Sequence, residues 1–201
     1  EANATPSEDD TIVLPAGTVS LTRDGGSEDG SLAGDLDLTD TVTIVGAGRD
    51  ETVISQDASP DDRVFQILAG ADRVRFADLT ITGGDTSGRP SAHGGGIYAS
   101  VEAEIELERV TVRDNTARMF NGNARGGGIA ALGSADLTVV DSTIERNVAE
   151  YISSGNPLGG GIAVGNGTLT ITDSEILDNR VLSFGIAAGG GIDTGQGTAT
   201  I

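Results

Sequence analysis

Asp61 and Asp62 stand side by side next to Arg63, and the single histidine, His93, follows shortly after Arg89. Carboxylates, an imidazole and a guanidinium are groups that move protons at neutral pH, so Asp61, Asp62, Arg89 and His93 are the catalytic candidates. Both clusters read as loop, and neither has an evident acid–base partner beside it. A paired-carboxylate glycosidase needs its two groups ~5–9.5 Å apart across a groove, which spacing along a chain does not supply. Glu102, Glu104, Glu106 and Glu108 alternate with Ala103, Ile105 and Leu107, which sets four carboxylates on one outward strand face. Hard oxygen ligands suit calcium, and these four are the candidate metal ligands. Residues two apart on one strand lie ~7 Å apart, however, too far to share one ion without help from neighbouring strands. A solvated face paired with Arg73 and Arg75 is the simpler reading, so no cofactor is expected, with calcium the one open possibility.

A third set is aromatic and basic: Arg89, Arg118, Phe120, Arg125, Tyr151, Asn156 and Phe184. Rings with guanidinium groups can stack on and hydrogen-bond to sugars, which makes these the ligand-binding candidates. Phe120, Ile152 and Phe184 recur every 32 residues, as do Met119, Tyr151 and Ser183. Packed ridges produce the same periodicity, so burial against the body remains the competing explanation.

That periodicity is the key to the elements that must position these groups. Gly94-Gly95-Gly96-Ile97, Gly126-Gly127-Gly128-Ile129, Gly159-Gly160-Gly161-Ile162 and Gly189-Gly190-Gly191-Ile192 recur at spacings of 32, 33 and 30. Asn115, Asn147 and Asn179 recur at 32 and 32, and the apolar column Ile44, Phe76, Leu107, Val139, Ile171 keeps the same step. Within each repeat, apolar residues alternate in short runs such as Leu137-Thr138-Val139, bounded by Gly, Asn and Asp, which is the pattern of strand. Three short strands per repeat describe one coil of a parallel β-helix, an all-β solenoid of about six coils of about 32 residues. Gly96, Gly128, Gly161 and Gly191 and the three asparagines are then structural, and stacked asparagines can hydrogen-bond along the axis. Superposing coils also sets Asp78 on Arg109, Arg109 on Asp141, Asp114 on Arg146, Arg146 on Asp178 and Arg113 on Glu145. Arg73 and Arg75 fall under Glu104 and Glu106. The whole of 1–201 reads as one solenoid, with an N-terminal coil or cap region over 1–34, atypical coils over 35–93 and the glycine-triad repeats over 94–201.

Composition removes several classes. The net charge of −19, with twelve basic residues and no lysine among them, argues against a nucleic-acid or anionic-membrane surface. No run reaches the roughly 18 apolar residues that would cross a bilayer, so direct membrane insertion of this segment is not expected. The absence of cysteine removes disulfides, thiolate metal sites and cysteine nucleophiles. Threonine triplets such as Thr170-Ile171-Thr172 hint at an ice-binding array, but Glu106 and Arg75 interrupt the column, and ordinary β-propensity explains them.

Thr11-Ile12-Val13-Leu14-Pro15-Ala16-Gly17-Thr18 resembles the first coil of right-handed β-helix proteins of the pectate-lyase-like superfamily. The Gly-Gly-Gly-Ile, Leu-Thr and asparagine-bearing repeat is similar to bacterial secreted proteins carrying an N-terminal CSLREA motif, and more loosely to polymorphic outer-membrane proteins. The resemblance implies an exported, surface-associated protein, extracellular or at the cell surface, whose signal and anchor lie outside this segment. It implies little about activity. Hydrolases of this superfamily use clustered aspartates with basic partners, and its lyases use calcium carboxylates with a basic proton acceptor; neither full set is evident in these residues. The expected function is a non-enzymatic structural or adhesive segment that binds a polysaccharide or a surface protein through its long-corner face. A polysaccharide lyase or glycoside hydrolase is the alternative. Because Thr198-Ala199-Thr200-Ile201 ends inside a strand motif, a longer natural chain or self-association through the coil ends into a fibre is also expected.

Overall fold

The computed structural model describes residues 9–23, 34–57, 62–87, 92–120, 122–152, 157–183 and 187–201. Every regular element among them is a strand, and every strand pairs in parallel with the strand one coil away. The first sheet stacks β3 (Leu36–Leu38), β6 (Phe65–Ile67), β8 (Ile97–Ala99), β11 (Ile129–Ala131), β15 (Ile162–Val164) and β19 (Ile192–Asp193). The second stacks β1 (Asp10–Val13), β4 (Val42–Val45), β7 (Arg73–Thr82), β9 (Glu104–Arg113), β12 (Asp136–Val140), β16 (Thr168–Thr172) and β20 (Thr198–Thr200). Beyond a bend, that sheet continues through β2 (Gly17–Leu21), β5 (Thr52–Gln56), β13 (Thr143–Glu145) and β17 (Glu175–Leu177). A third sheet holds β10 (Thr116–Met119), β14 (Val148–Tyr151) and β18 (Arg180–Ser183). The result is a right-handed β-helix of about five turns; partial coils at either end make up the sixth counted from sequence.

The register explains why these sequences stack. Ile44, Phe76, Leu107, Val139 and Ile171 pair in one inward column, and alternate residues face out. Ile97, Ile129 and Ile162 face them from the first sheet, and Phe65 meets Phe76 with ring centroids 4.8 Å apart. The core is a single ladder of buried Ile, Leu, Val and Phe running the length of the stack. At roughly 25 cal/mol per Å² of apolar surface removed from water, this ladder is the main favourable term.

Two polar ladders complete the interior. The side-chain oxygen of Asn147 accepts from both the backbone N–H (3.1 Å) and the Nδ2 (3.0 Å) of Asn115, and Asn179 does the same for Asn147, both at 3.0 Å. Each Nδ2 also donates to a carbonyl about one coil back: Ile81, Val112 and Ile144 respectively. Asn115 and Asn147 are fully buried. The third glycine of the first three triads, Gly96, Gly128 and Gly161, lies against this ladder, and a Cβ on Gly128 would sit 2.9 Å from the Asn147 side chain. At the earlier bend serines play the same part: the Ser142 hydroxyl accepts from Val110 N–H, and the Ser174 hydroxyl accepts from Ser142 N–H, both at 3.0 Å.

The bends themselves are left-handed. Asp78, Arg109, Asp141 and Asp173 form one column with φ between 46° and 56°, and Gly83, Asp114, Arg146 and Asp178 form the next. Arginine there is unusual, because a non-glycine side chain in this conformation costs ~1–2 kcal/mol. Each arginine lays a two-pronged fork on the aspartate of the coil before it: Arg109 on Asp78 at 2.7 and 2.8 Å, Arg146 on Asp114 at 2.9 and 3.0 Å. The charge columns expected from sequence therefore form on one side only. Arg113 turns to Asp114 at 2.8 Å, and Arg146 takes Glu145 at 2.7 Å, in place of the expected Arg113–Glu145 pair.

The two kinds of polar contact differ in weight. Truncating Asn147 to alanine strands buried donors, so Asn147→Ala is expected to lower unfolding free energy by about 3 kcal/mol in urea titration. Arg146→Asn, which keeps a side chain tolerant of the left-handed bend, is expected to cost under about 1 kcal/mol. Equal losses for the two variants would contradict this ranking.

Candidate functional site

The outward residues of the first sheet form a column: Asp37, Gln66, Tyr98, Ala130, Ala163 and Asp193. Unlike the outer faces of the other sheets, most of this column is buried, with Ala130 fully enclosed. At its early coils a polar group gathers beside Tyr98. The Arg63 guanidinium lies over the Tyr98 ring, 4.7 Å from its centroid, and donates to Gln66 Oε1. Arg63 is also 3.3 Å from the Asp35 carboxylate, and both side chains are almost fully buried. On the other side His93 packs against Tyr98 at 5.8 Å between centroids.

The path of the chain puts His93 there. After Asn115 and Asn147 the chain forms the third sheet before entering the long corner, so part of what reads as loop in sequence is strand. The long corner returns through a single parallel ladder, His93 to Arg125 to Leu158 to Ala188, one residue per coil. Gly94 N–H donates to the Arg125 carbonyl at 3.0 Å and Arg125 N–H to that of Ala92 at 3.1 Å. The following glycine, Gly94, adopts φ 58°, which turns the chain directly into β8 and seats Tyr98 beside the histidine.

Charge at this place is positive, in a chain whose total is strongly negative. Burial, then the charge of Arg125 and, more weakly, that of Arg63, push the His93 imidazole down to about 4, with a backbone hydrogen bond at Ala92 opposing. Arg75, Arg109, Arg118 and Arg146 each meet carboxylates on neighbouring coils. Among the described residues Arg125 has no such partner, and its Nε is buried without a hydrogen bond.

The sequence-derived candidates distribute as follows. Asp61, Arg89, Asn156 and Phe184 lie outside the described residues. Asp62 is buried and caps its own turn, its Oδ1 accepting from Arg63 N–H at 2.9 Å while its carbonyl accepts from Asp85 N–H at 2.7 Å. His93 and Arg125 come together on one ladder, with Tyr98, which the sequence did not single out, against His93 and Arg63 over Tyr98. Arg118 pairs with Glu150 at 2.6 Å. Phe120 is 66% exposed, whereas Tyr151 is 4% exposed and its hydroxyl accepts from Gly122 N–H at 3.1 Å. The two periodic rows thus part company: Met119 and Tyr151 pack inward, Met119 with Ala92, Ala117 and Ala124, while Phe120 and Ile152 face solvent.

Glu104 meets Arg73 at 3.0 Å, Glu106 meets Arg75 at 3.5 Å, and Glu108 is held by both Arg75 and Arg109. These arginines keep the Glu108 carboxyl below its usual range. Glu102 is exposed at the end of the row. Among the described residues no group of three or more acidic or histidine side chains is placed to hold a metal ion. A shallow depression on the second sheet, lined by Arg49, Thr80, Thr111, Thr143, Arg113 and Glu145, has its polar groups largely engaged: Thr80 donates to the Arg49 carbonyl at 2.6 Å, Arg113 pairs with Asp114 and Glu145 with Arg146.

Residues 66–200 match the family described as a right handed beta helix region. The chain belongs to that family. No curated protein and no solved structure gives a match. The family match begins in β6, so it spans Gln66, Tyr98, His93 and Arg125 and leaves Asp35 and Arg63 before it.

His93 makes stability depend on pH with a definite sign. Its folded value is depressed, so the unfolded chain binds the extra proton first; the contribution is fully present above about pH 6.5 and is lost as pH falls toward 4. The shift corresponds to about 3 kcal/mol. Asp78 and Asp114, lowered by Arg109 and Arg146 respectively, lose their contributions only at more acid pH. The urea midpoint is expected to fall between pH 6.5 and 4.5 in the wild type and to stay nearly flat over that interval in His93→Gln. The same slope in both proteins would contradict the assignment.

Proposed function

We propose that the chain is a rigid, non-enzymatic segment of an exported or cell-surface protein, a stalk whose long-corner face meets glycan or a partner protein. The observation that carries this is the direction in which its recurring polar groups point. Asn115, Asn147 and Asn179, Ser142 and Ser174, and the Arg109 and Arg146 forks all bond from one coil to the next. Repetition of that kind builds a stiff rod whose coils each depend on their neighbours. The resemblance to CSLREA-bearing secreted proteins supports the same placement at the cell surface.

The surface left for contact is the long corner. Phe120 and Ile152 present an exposed apolar row there, just beyond the ends of the two strands that hold the Arg118–Glu150 pair. An exposed ring of this kind suits the face of a sugar. The enzymatic alternative is less well supplied: Asp35 is committed to Arg63, Asp62 to its own turn, and an imidazole titrating near 4 is a weak proton acceptor at neutral pH.

Affinity electrophoresis through gels cast with neutral and acidic polysaccharides tests the reading. At least one polysaccharide should retard the wild type, and Phe120→Ala should weaken that retardation at least about fivefold. The same polysaccharides, incubated with and without calcium, should yield no new reducing ends or unsaturated products. Turnover abolished by Asp62→Ala would overturn the proposal.

A further inference from the structure

The Arg125 guanidinium stands out in this chain. The protein carries 31 acidic side chains and twelve arginines, so carboxylate partners are abundant. Arg125 is half-buried nonetheless, its Nε is shielded from water, and no carboxylate meets it among the described residues. Burying a guanidinium N–H without an acceptor is costly, and a ligand that brings an acceptor to it removes that cost. Its immediate neighbours share the character of the place. His93, one coil away on the same ladder, has a buried Nδ1, and its ring packs against that of Tyr98. Arg63 closes the far side behind Tyr98, and Asp35 and Gln66 are turned toward Arg63.

We propose that Arg125, His93 and Tyr98 form a binding site for a single oxyanion, a carboxylate or a sulfate borne by a small ligand. The proposal goes beyond the stalk reading and does not depend on it. Arg125 supplies a planar fork of donors matched to an oxyanion. His93 supplies one more nitrogen, and Tyr98, whose ring packs against both Arg63 and His93, holds the imidazole in place. Arg63 is too buried to reach solvent, so it acts through its charge across the Tyr98 ring. The groups facing the imidazole are Arg125 on its ladder, Tyr98 on β8 and Arg63 beyond it, with Asp35 screened by its contact with Arg63. Burial first, and then two cationic neighbours, disfavour the imidazolium; a bound anion between Arg125 and His93 offsets the charge of those neighbours. Binding and protonation of His93 are therefore coupled, each favouring the other.

Because His93 is the only histidine, its ring protons report the site in a one-dimensional NMR titration of the intact chain. Sulfate and methanesulfonate stay ionised throughout the titration and serve as probes at constant ionic strength. Saturating sulfate is expected to raise the His93 midpoint by about one unit, and the shift should vanish in Arg125→Gln. Chemical-shift perturbation of His93 and Tyr98 at pH 7 by acetate and by gluconate then separates sources: equal responses mean the oxyanion alone is recognised, a stronger response to gluconate means that the ligand is a sugar acid. A midpoint unmoved by either sulfur oxyanion in the wild type, or moved equally in Arg125→Gln that melts like the wild type, overturns the proposal.

Discussion

Over the coils that carry Asn115, Asn147 and Asn179, each coil sits on the next where a side-chain amide reaches across the gap and the glycine beside it has no side chain at all. Asn147 is the centre of that arrangement. Its oxygen takes two N–H groups from Asn115, its nitrogen serves the Val112 carbonyl, and Gly128 leaves room for it. A buried amide is tolerated only when its donors and acceptors are satisfied. Slipping one coil by a single residue would turn Asn147 outward, and would at the same time send the Ile, Leu and Val ladder to solvent. The polar and apolar columns therefore specify one register together.

Much of the surface follows from that register. Once coils are locked at one spacing, the bend residues stack as well, and the left-handed backbone at Asp78, Arg109, Asp114 and Arg146 brings opposite charges within reach. These forks sit on positions that are conformationally unfavourable for arginine and offset part of that cost. They are partly exposed, and their contribution is correspondingly small beside the buried amides. The long corner inherits its place in the same way: the third sheet continues directly from the asparagine column, and its return ladder delivers His93 and Arg125 to the outer face of the first sheet.

The parts legible in sequence are those that repeat. The glycine triads, Asn115, Asn147 and Asn179 and the inward column recur often enough to announce both fold and register. Ser142 and Ser174 carry the same 32-residue step, but Val110 occupies the earlier coil and contributes only its backbone N–H, so two members make an inconspicuous column. The third sheet was hidden because Thr116-Ala117-Arg118-Met119 buries an alanine and a methionine, too little apolar bulk to mark a strand. The cluster around Tyr98 was hidden for a different reason. Asp35, Arg63 and Gln66 lie in coils without the triad, and contact between coils of unlike sequence leaves no periodic trace. An outward tyrosine between two inward residues, Ile97 and Ala99, was the signal available for it.

Stiffness along the axis and a chemically distinct patch at one face are compatible because different residues supply them. The rod rests on the amide ladder, whatever the long corner binds. Hydrogen exchange of the asparagine side-chain amides, followed by NMR under native conditions, measures that ladder directly. The Nδ2 protons of Asn115 and Asn147 should exchange only through global unfolding, with the same free energy as urea denaturation, while those of exposed Asn166 exchange freely. Fast exchange at Asn115 and Asn147, with the core backbone amides still protected, would show that the coils hold their register without the ladder.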